Sequence, residues 1–225
     1  MIGATLDRIG GCITNFCDVY SKEFNRDSAL MQAQRYRLQG LDALSRRVFS
    51  LATKIDINGA AVLEVGGGVG ALSLELLKAG GAMAVNVELS RSYRDAAAAL
   101  ALEDGLQNRI DLVAADGVEA IGGLGSFDVV VLNRVLCCYH KGKDLLRVSA
   151  DATDNMLIAS YPTIHLLSKG LIAIGNRLNA RRGCSVHPFI HSEEELGEPS
   201  QRGLVEVHRK ARPVWTVRAW TRPAA

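Results

Sequence analysis

Long apolar runs are absent from this sequence, and its charges nearly cancel. No segment offers the roughly 18 apolar residues of a membrane-spanning helix, and Asp7 and Arg8 lie where a secretory signal would be apolar. The 26 basic and 24 acidic side chains leave a net charge of +2, with the basic residues spread along the chain. We therefore expect a cytoplasmic protein with a small-molecule partner and no nucleic-acid partner.

Cysteine is also scarce, and its spacing is uninformative. The five cysteines show neither CxxC pairs nor the density of a disulfide scaffold; they are Cys12, Cys17, Cys137, Cys138 and Cys184. Adjacent Cys137 and Cys138 cannot readily supply the spaced tetrahedral ligands of a zinc site, although His140 follows them. We expect reduced thiols and no metal site.

The chain is long enough for one α/β domain with a modest appendage, at 225 residues and 48% hydrophobic content. Residues 20–50 are dense in charge and in helix formers, and Gly40 interrupts or joins the helices they predict. Apolar residues recur there at three-to-four spacing, at Leu38, Leu41, Leu44, Val48 and Leu51. We expect an N-terminal helical cap over residues 1–50 and the main domain over 51–225.

Strand and helix patterns alternate after residue 60. Short apolar runs predict strands at 61–65, 82–87, 110–114, 127–132 and 155–161, with helices at 71–79 and 92–103 between them. Continuously apolar strands suit a parallel sheet that is covered on both faces. Two β-rich segments, 204–210 and 214–221, flank a turn at Pro213 and predict a C-terminal hairpin.

Residues 164–182 form an amphipathic and basic segment that predicts a helix. Three interpretations stay open: a helix packed on the domain, a lid over the substrate, or a peripheral contact with a membrane surface.

A glycine turn between the first strand and the next helix carries the cofactor chemistry. In the stretch from Glu64 to Gly70, the glycines Gly66, Gly68 and Gly70 let a ligand approach the backbone, and the helix presents its N-terminal amides there. Glu88 ends the second strand, where a carboxylate can accept both ribose hydroxyls. The pattern predicts an adenine nucleoside, and we place Leu89 in the same site.

The glycines alone do not distinguish two adenine cofactors. Gly66-x-Gly68-x-x-Ala71 also fits the dinucleotide pattern, and Glu88 would serve a nicotinamide cofactor equally well. Glu64, however, is acidic where dinucleotide folds usually carry apolar residues, and it can orient both the turn and the cationic amino end of S-adenosylmethionine.

Two further polar residues follow later strands. Asp116, with Gly117 beside it, follows the third strand and is placed to reach the adenine amino group. Asn133 follows the fourth strand, near the expected methionine end of the ligand. These positions favour S-adenosylmethionine over a nicotinamide.

From about residue 50 to 221 the chain resembles the class I methyltransferases. The stretch from Glu64 to Gly70 is similar to their first motif, Glu88 to their ribose-binding acid, and Ala115-Asp116-Gly117 to their adenine-side motif. The resemblance implies S-adenosylmethionine as cofactor. It also implies a Rossmann-like α/β fold with seven strands, mostly parallel, in which the last strand is inserted antiparallel.

The substrate side rests on the run from Asn133 to His140, which leaves the carboxyl end of the fourth strand, where ligands of open α/β sheets bind. His140 is a candidate base, and Tyr139 can position a substrate by hydrogen bonding. The run is similar to bacterial small-molecule methyltransferases with a Cys-Cys-Tyr segment. Residues 36–51 are loosely similar to the extension of magnesium-protoporphyrin O-methyltransferases, where it helps cover the cofactor.

The sequence therefore predicts S-adenosylmethionine-dependent methylation of a small-molecule acceptor, with oxygen as the preferred atom. Two alternatives stay open: an NAD(P)-dependent oxidoreductase, and a non-catalytic partner protein that retains the fold. The oligomeric state is left undetermined.

Overall fold

The computed structural model describes residues 24–163 and 189–223. Its α-helices are α1 (Arg26–Gln39), α2 (Ala43–Ala52), α3 (Ala71–Lys78), α4 (Arg91–Glu103), α5 (Gly117–Leu124), α6 (Gly142–Asp151), α7 (Glu193–Leu196) and α8 (Glu198–Gln201). The strands are β1 (Ala61–Val65), β2 (Met83–Val87), β3 (Ile110–Val113), β4 (Phe127–Asn133), β5 (Thr153–Pro162), β6 (Val205–Ala211) and β7 (Trp215–Thr221). The alternation predicted from apolar runs and glycines is confirmed.

All seven of these strands form one sheet, in the order β3-β2-β1-β4-β5-β7-β6. Strands β1 to β5 are parallel, and β7 is inserted antiparallel between β5 and β6. The predicted Rossmann-like sheet and its C-terminal hairpin are therefore confirmed. Because β1 pairs with both β2 and β4, the strand order reverses at β1, and ligands of such sheets bind beyond the carboxyl ends of the strands at this reversal.

Strand side chains alternate between two apolar cores, one on each face of the sheet. Val62 belongs to one core and its neighbour Leu63 to the other. Helices α1 to α4 cover the first core, whereas α5 and α6 cover the second. Both faces of the sheet are covered by helices, which explains why the strand sequences are continuously apolar.

The N-terminal helices pack through different kinds of side chain. Helix α1 buries Ala29, Ala33 and Tyr36, and it ends at Gly40, whose φ of 65° few other residues adopt. Leu38 is 72% exposed, so its place in the predicted apolar stripe is wrong. The reason is that Gly40 separates two helices, so the predicted stripe is buried only from Leu41 onward, through Leu44, Val48 and Leu51.

Helix α2 runs through the boundary predicted after residue 50, since it spans Ala43–Ala52. The division into a cap over 1–50 and a domain over 51–225 stays a proposal. The predicted helix over residues 164–182 lies outside the described residues. Among the residues that are described, no helix is long and apolar enough to cross a membrane.

Candidate functional site

A cavity opens at the carboxyl ends of the parallel strands, beside the reversal of strand order. Its wall includes eight of the predicted site residues: Glu64, Gly66, Gly68, Glu88, Leu89, Gly117, Asn133 and Tyr139. Three others, Gly70, Asp116 and His140, are not among the lining residues. The N-terminal helical segment contributes Phe24, Gln32 and Ser45, which sequence reasoning had not singled out.

The glycine turn has the backbone that its composition predicts. Gly66, Gly68 and Gly70 have φ values of 63°, 58° and 70°, in the left-handed region that disfavours other residues. A Cβ on Gly68 would lie 3.3 Å from a ring carbon of Tyr93 and 3.6 Å from the side-chain oxygen of Gln32, two residues of the cavity wall. Gly68 therefore keeps open the space between the turn and these side chains.

Gly70 has a different role from Gly68. It is the N-cap of α3 and has no side chain of its own to cap that helix end. The amide of Ser73 donates to Glu64, and the two amides before it stay directed toward the turn, as expected for a helix end that faces a polar ligand group.

The carboxylate of Glu88 is buried and bridges two segments. One oxygen accepts a hydrogen bond from the backbone amide of Gly68 at 3.0 Å, and the other accepts from the amide of Ser90 at 2.8 Å. Each carboxylate oxygen has a second lone pair, so Glu88 can also accept hydrogen bonds from a vicinal diol. The arrangement fits the ribose of a nucleoside, with apolar Leu89 and the ring of Tyr93 beside it.

Glu64 is buried below the turn and is bound to helix α3. One of its oxygens accepts hydrogen bonds from the amide of Ser73 at 3.0 Å and from its hydroxyl at 2.5 Å. Burial raises the pKa of Glu64 to about 7, and the negative charge of Glu88 adds to the effect against the two Ser73 bonds. A cation entering the cavity would favour the ionised form of Glu64.

Asn86 is a buried neighbour of this turn that sequence reasoning missed. It pairs with Glu64 across β1 and β2, and it is fully buried. A Cβ on Gly67 would lie 2.6 Å from its side-chain oxygen, so the amide supports the turn from below. Its side chain makes no hydrogen bond within the described residues. The only sequence signal was a polar residue inside an apolar strand.

Asp116 and Tyr139 are bound to each other. The Tyr139 hydroxyl donates to Oδ1 of Asp116 at 2.5 Å, and the same oxygen accepts from the amide of Val118 as the N-cap of α5. Burial, reinforced by the Asp116 carboxylate, raises the pKa of Tyr139, so its phenol stays neutral and acts as a donor. The structure places Ala115 and Gly117, the neighbours of Asp116, on the cavity wall.

Asn133 lies at the end of β4, where three elements meet. Its amide nitrogen donates to the Ser45 hydroxyl at 3.1 Å, and its oxygen accepts from the Ser160 hydroxyl at 2.8 Å. Arg134 follows with a φ of 62°, a left-handed conformation that is uncommon outside glycine. The turn aims the Arg134 side chain at Asp42 of the N-terminal segment, and at the ring of Trp215 with its Cζ 5.5 Å from the centroid.

His140 and the two cysteines lie at the rim of the cavity. His140 is exposed, and its ring centroid lies 5.6 Å from that of Tyr139 and 6.2 Å from that of Phe189. Cys138 lines the cavity, and its sulfur is 3.4 Å from that of Cys137. A hydrogen bond with Cys137 lowers the pKa of the Cys138 thiol.

Comparisons with known proteins agree with this geometry. Residues 62–155 match a family described as a methyltransferase domain. The fold is similar to a magnesium protoporphyrin IX methyltransferase from Synechocystis PCC 6803 with bound S-adenosylhomocysteine, at a TM-score of 0.69 and 19% identity, covering 92% of this chain and 100% of that one.

Two further solved structures are similar. An O-methyltransferase family protein from Burkholderia thailandensis has a TM-score of 0.63 at 18% identity and covers 80% of this chain and 57% of its own. An O-methyltransferase family 2 protein from Planctomyces limnophilus, in complex with apigenin, has a TM-score of 0.63 at 16% identity. The match covers 88% of this chain and 62% of that one. No curated protein matches the sequence.

Proposed function

Since the chain carries a class I, Rossmann-like S-adenosylmethionine-dependent methyltransferase domain, we propose that it methylates a hydroxyl oxygen of a small-molecule acceptor. The cofactor supplies a methyl group on a positively charged sulfur. In the reaction a carbon–oxygen bond forms as the carbon–sulfur bond breaks, and the acceptor's hydroxyl proton passes to a base. The protein's part is to align the two ligands, exclude water and accept or relay that proton.

The observation that carries the proposal is one cavity whose wall combines a nucleoside-binding set with further polar side chains. The first set is Gly68, Glu88 and Leu89, and the polar side chains include Asn133 and Tyr139. We assign the ribose to Glu88, with Leu89 against the nucleoside and the Asp116–Gly117 turn on the adenine side.

The amino end of the cofactor is assigned to the part of the cavity wall near Glu64 and Asn133. The ionised form of Glu64 complements an ammonium group, and Asn133 is fixed by hydrogen bonds from both sides. The reactive sulfur would then face Cys138 and the rim at His140.

The enclosure of the cavity on its N-terminal side supports a small acceptor. Phe24, Gln32 and Ser45 close the cavity from the N-terminal side, which leaves room for a compact molecule beside the nucleoside rather than for a polymer. Oxygen as the methylated atom is supported by the O-methyltransferases among the similar folds.

His140 is our candidate for the proton acceptor, because it is exposed at the rim and imidazole accepts protons near neutral pH. Tyr139 is assigned a positioning role through its hydrogen bond to Asp116. His140→Gln should lower kcat more than KM, by about 10²-fold or more. Tyr139→Phe, the adjacent control, should alter cofactor affinity instead, since it frees Asp116.

The cofactor assignment is tested by titration calorimetry with S-adenosylmethionine, S-adenosylhomocysteine and NADH. We expect binding of the first two only, and at least about tenfold weaker binding after Glu88→Ala, which removes the charged acceptor of the ribose. Asp111→Ala, on the exposed edge of the neighbouring strand β3, is the matched control and should bind normally. Unchanged affinity in Glu88→Ala would show that the ribose lies elsewhere.

Turnover is tested by release of S-adenosylhomocysteine with a panel of phenols, carboxylic acids, amines and thiols. Methylation of phenols or acids is the expected result. A preference for amines or thiols would overturn oxygen as the acceptor atom. Cofactor binding without turnover on any class would favour the non-catalytic partner protein.

A further inference from the structure

A second concave surface lies away from the cofactor cavity, between helix α2 and the C-terminal hairpin. We call it the basic cleft, and its cationic side chains are Arg46, Arg47, Lys54, Lys210 and Arg212, with His208 among them. It shares no lining residue with the cofactor cavity. Helix α2 nevertheless borders both, since Ser45 faces the cavity and the next two residues face the cleft.

The cations form two facing rows. On the helix side, Arg46 and Arg47 precede Ser50 by four and three residues, so both lie near it on the helix surface, and Lys54 follows just beyond the helix end. On the hairpin side, His208 and Lys210 alternate along β6 and point to one face of the sheet, with Arg212 just beyond the strand. The cleft between the rows is thus positive on both walls.

None of the residues lining the basic cleft carries a carboxylate. Several cations elsewhere in the described ranges form salt bridges: Arg37 with Glu103, Lys78 with Asp104, Arg134 with Asp42, Arg202 with Asp151, and Arg209 with Glu206. Within those same ranges, Arg47, Lys54, Lys210 and Arg212 form no salt bridge. The cleft thus gathers like charges on two walls that hold no carboxylate.

The cationic surroundings affect the histidine of the hairpin row. Burial, together with the charges of Lys54 and Lys210, lowers the pKa of His208. The two lysines come from opposite walls, so both are close enough to act on the same imidazole. An anion in the cleft would relieve this repulsion and would be held by both walls at once.

From this geometry we propose that the basic cleft binds a phosphate-bearing ligand between Arg47 of the helix wall and Arg212 of the hairpin wall. Lys54, Lys210 and the Ser50 hydroxyl complete the site. Guanidinium groups match phosphate oxygens with two parallel hydrogen bonds, and lysines add point charge. The concave shape and the two-walled arrangement suit a compact group of two or more negative charges, such as a diphosphate. The phosphate comes either from a soluble compound or from a lipid headgroup.

The test uses the full chain and pyrophosphate as probe, titrated by calorimetry in a low-salt buffer free of phosphate. We expect binding that weakens with added salt. Arg47→Gln/Lys210→Gln should weaken it by at least about tenfold, because each substitution removes a charge-assisted contact. The matched control is Arg26→Gln/Arg35→Gln, two exposed arginines of α1 outside the cleft, and it should bind like the wild type.

Two further arms make the outcome decisive. Co-sedimentation with phosphatidylglycerol vesicles, against phosphatidylcholine vesicles, separates the sources: cleft-dependent sedimentation assigns a lipid headgroup, and pyrophosphate binding without sedimentation assigns a soluble phosphate. Lys210→Gln/Arg212→Gln, confined to the hairpin, repeats the test without touching α2. All variants should keep their affinity for S-adenosylmethionine. If neither probe distinguishes the cleft variants from the control, the proposal is wrong.

Discussion

Arg134 and Asp42 meet through two parallel hydrogen bonds, Nη1 to Oδ2 at 2.7 Å and Nη2 to Oδ1 at 2.8 Å, although 92 residues separate them. Asp42 is also the N-cap of α2 and accepts hydrogen bonds from the amides of Leu44 and Ser45. One carboxylate thus starts the helix that closes the cavity and fastens it to the end of β4.

This pair makes stability depend on acid pH. Burial opposes ionisation, but the bonds from Arg134 and Ser45 prevail and lower the pKa of Asp42 from 3.8 to about 2. Because the folded pKa is the lower one, the stabilisation is present above about pH 4 and is lost as pH falls toward 2. Asp42→Asn should therefore cost about 1–2 kcal/mol at neutral pH, after allowance for solvent screening.

Urea unfolding from pH 6 to 2 gives the free energy of unfolding of the wild type and of Asp42→Asn. The difference between the two should shrink as the pH falls toward 2. Asp144→Asn is the control, since Asp144 is half exposed and its nearest charged partner, Arg147, is 3.7 Å away. A constant difference across the whole range would contradict the role assigned to the pair.

Glu64 should give the opposite pH dependence. Its folded pKa of about 7 lies above the ordinary 4.5, so the folded state holds a proton that the unfolded state releases, and stability falls as pH rises between these values. The wild type should therefore lose about 3 kcal/mol of its free energy of unfolding between pH 4.5 and pH 7, and Glu64→Gln should not show this loss.

The same carboxyl links pH to cofactor binding. A cationic cofactor favours ionised Glu64, so its binding near pH 6.5 should release up to about one proton, seen by calorimetry in buffers of different ionisation enthalpy. Glu64→Gln should bind without that release. Asp128→Asn, in the strand β4 that pairs with β1, should behave as the wild type, since Asp128 accepts a hydrogen bond from the Ala61 amide at the opposite end of β1.

Substitutions of Gly68 and Gly105 distinguish the effect of backbone strain from the effect of lost cavity space. Gly68→Ala places a Cβ against Tyr93 at 3.3 Å, whereas Gly105→Ala, at the similar φ of 70°, meets nothing within 4 Å. Both should lower the free energy of unfolding by about 1–2 kcal/mol through left-handed strain. Gly68→Ala alone should also weaken cofactor binding, by about tenfold or more in titration calorimetry. Equal affinities in the two variants would remove Gly68 from the binding site.

Cys138 offers a chemical probe of occupancy. Cys138 lies on the cavity wall, so N-ethylmaleimide should label its thiol in the ligand-free protein. At a hundred times its Kd, S-adenosylhomocysteine should slow the labelling by at least about tenfold. Peptide mass spectrometry identifies the modified site, and Cys138→Ser is the control. Labelling that ignores the ligand would place Cys138 outside the occupied volume.

The sheet and the glycine turn could be predicted because their signals are local. Ala61–Val65 is a strand with the predicted bounds, and the positive φ of Gly66 follows from the residue type itself. The bond between Arg134 and Asp42 gave no such signal, because it joins two turns far apart in the chain. The left-handed φ of Arg134 is likewise invisible in its side-chain type.

The clustering of basic residues was likewise not predictable from the sequence. The basic residues look evenly spread along the sequence, which led us to expect no nucleic-acid partner. Folding nevertheless brings residues 46–54 and 208–212 to the two walls of one cleft. Asp116 shows a different limit: the sequence placed it near the adenine side, but only the structure reveals that it caps α5 and holds Tyr139.

Helix α2 has a practical consequence for dissecting this protein. A fragment that begins at residue 51 keeps every described strand of the sheet, yet it starts at the last turn of α2 and discards Asp42, Ser45 and the arginines of the basic cleft on that helix. Transplanting only the segment 62–155 that matches the family would leave out Phe24, Gln32 and Ser45 of the cavity wall. The unit to truncate, fuse or evolve in the laboratory therefore begins no later than the turn at Asn25 that starts α1.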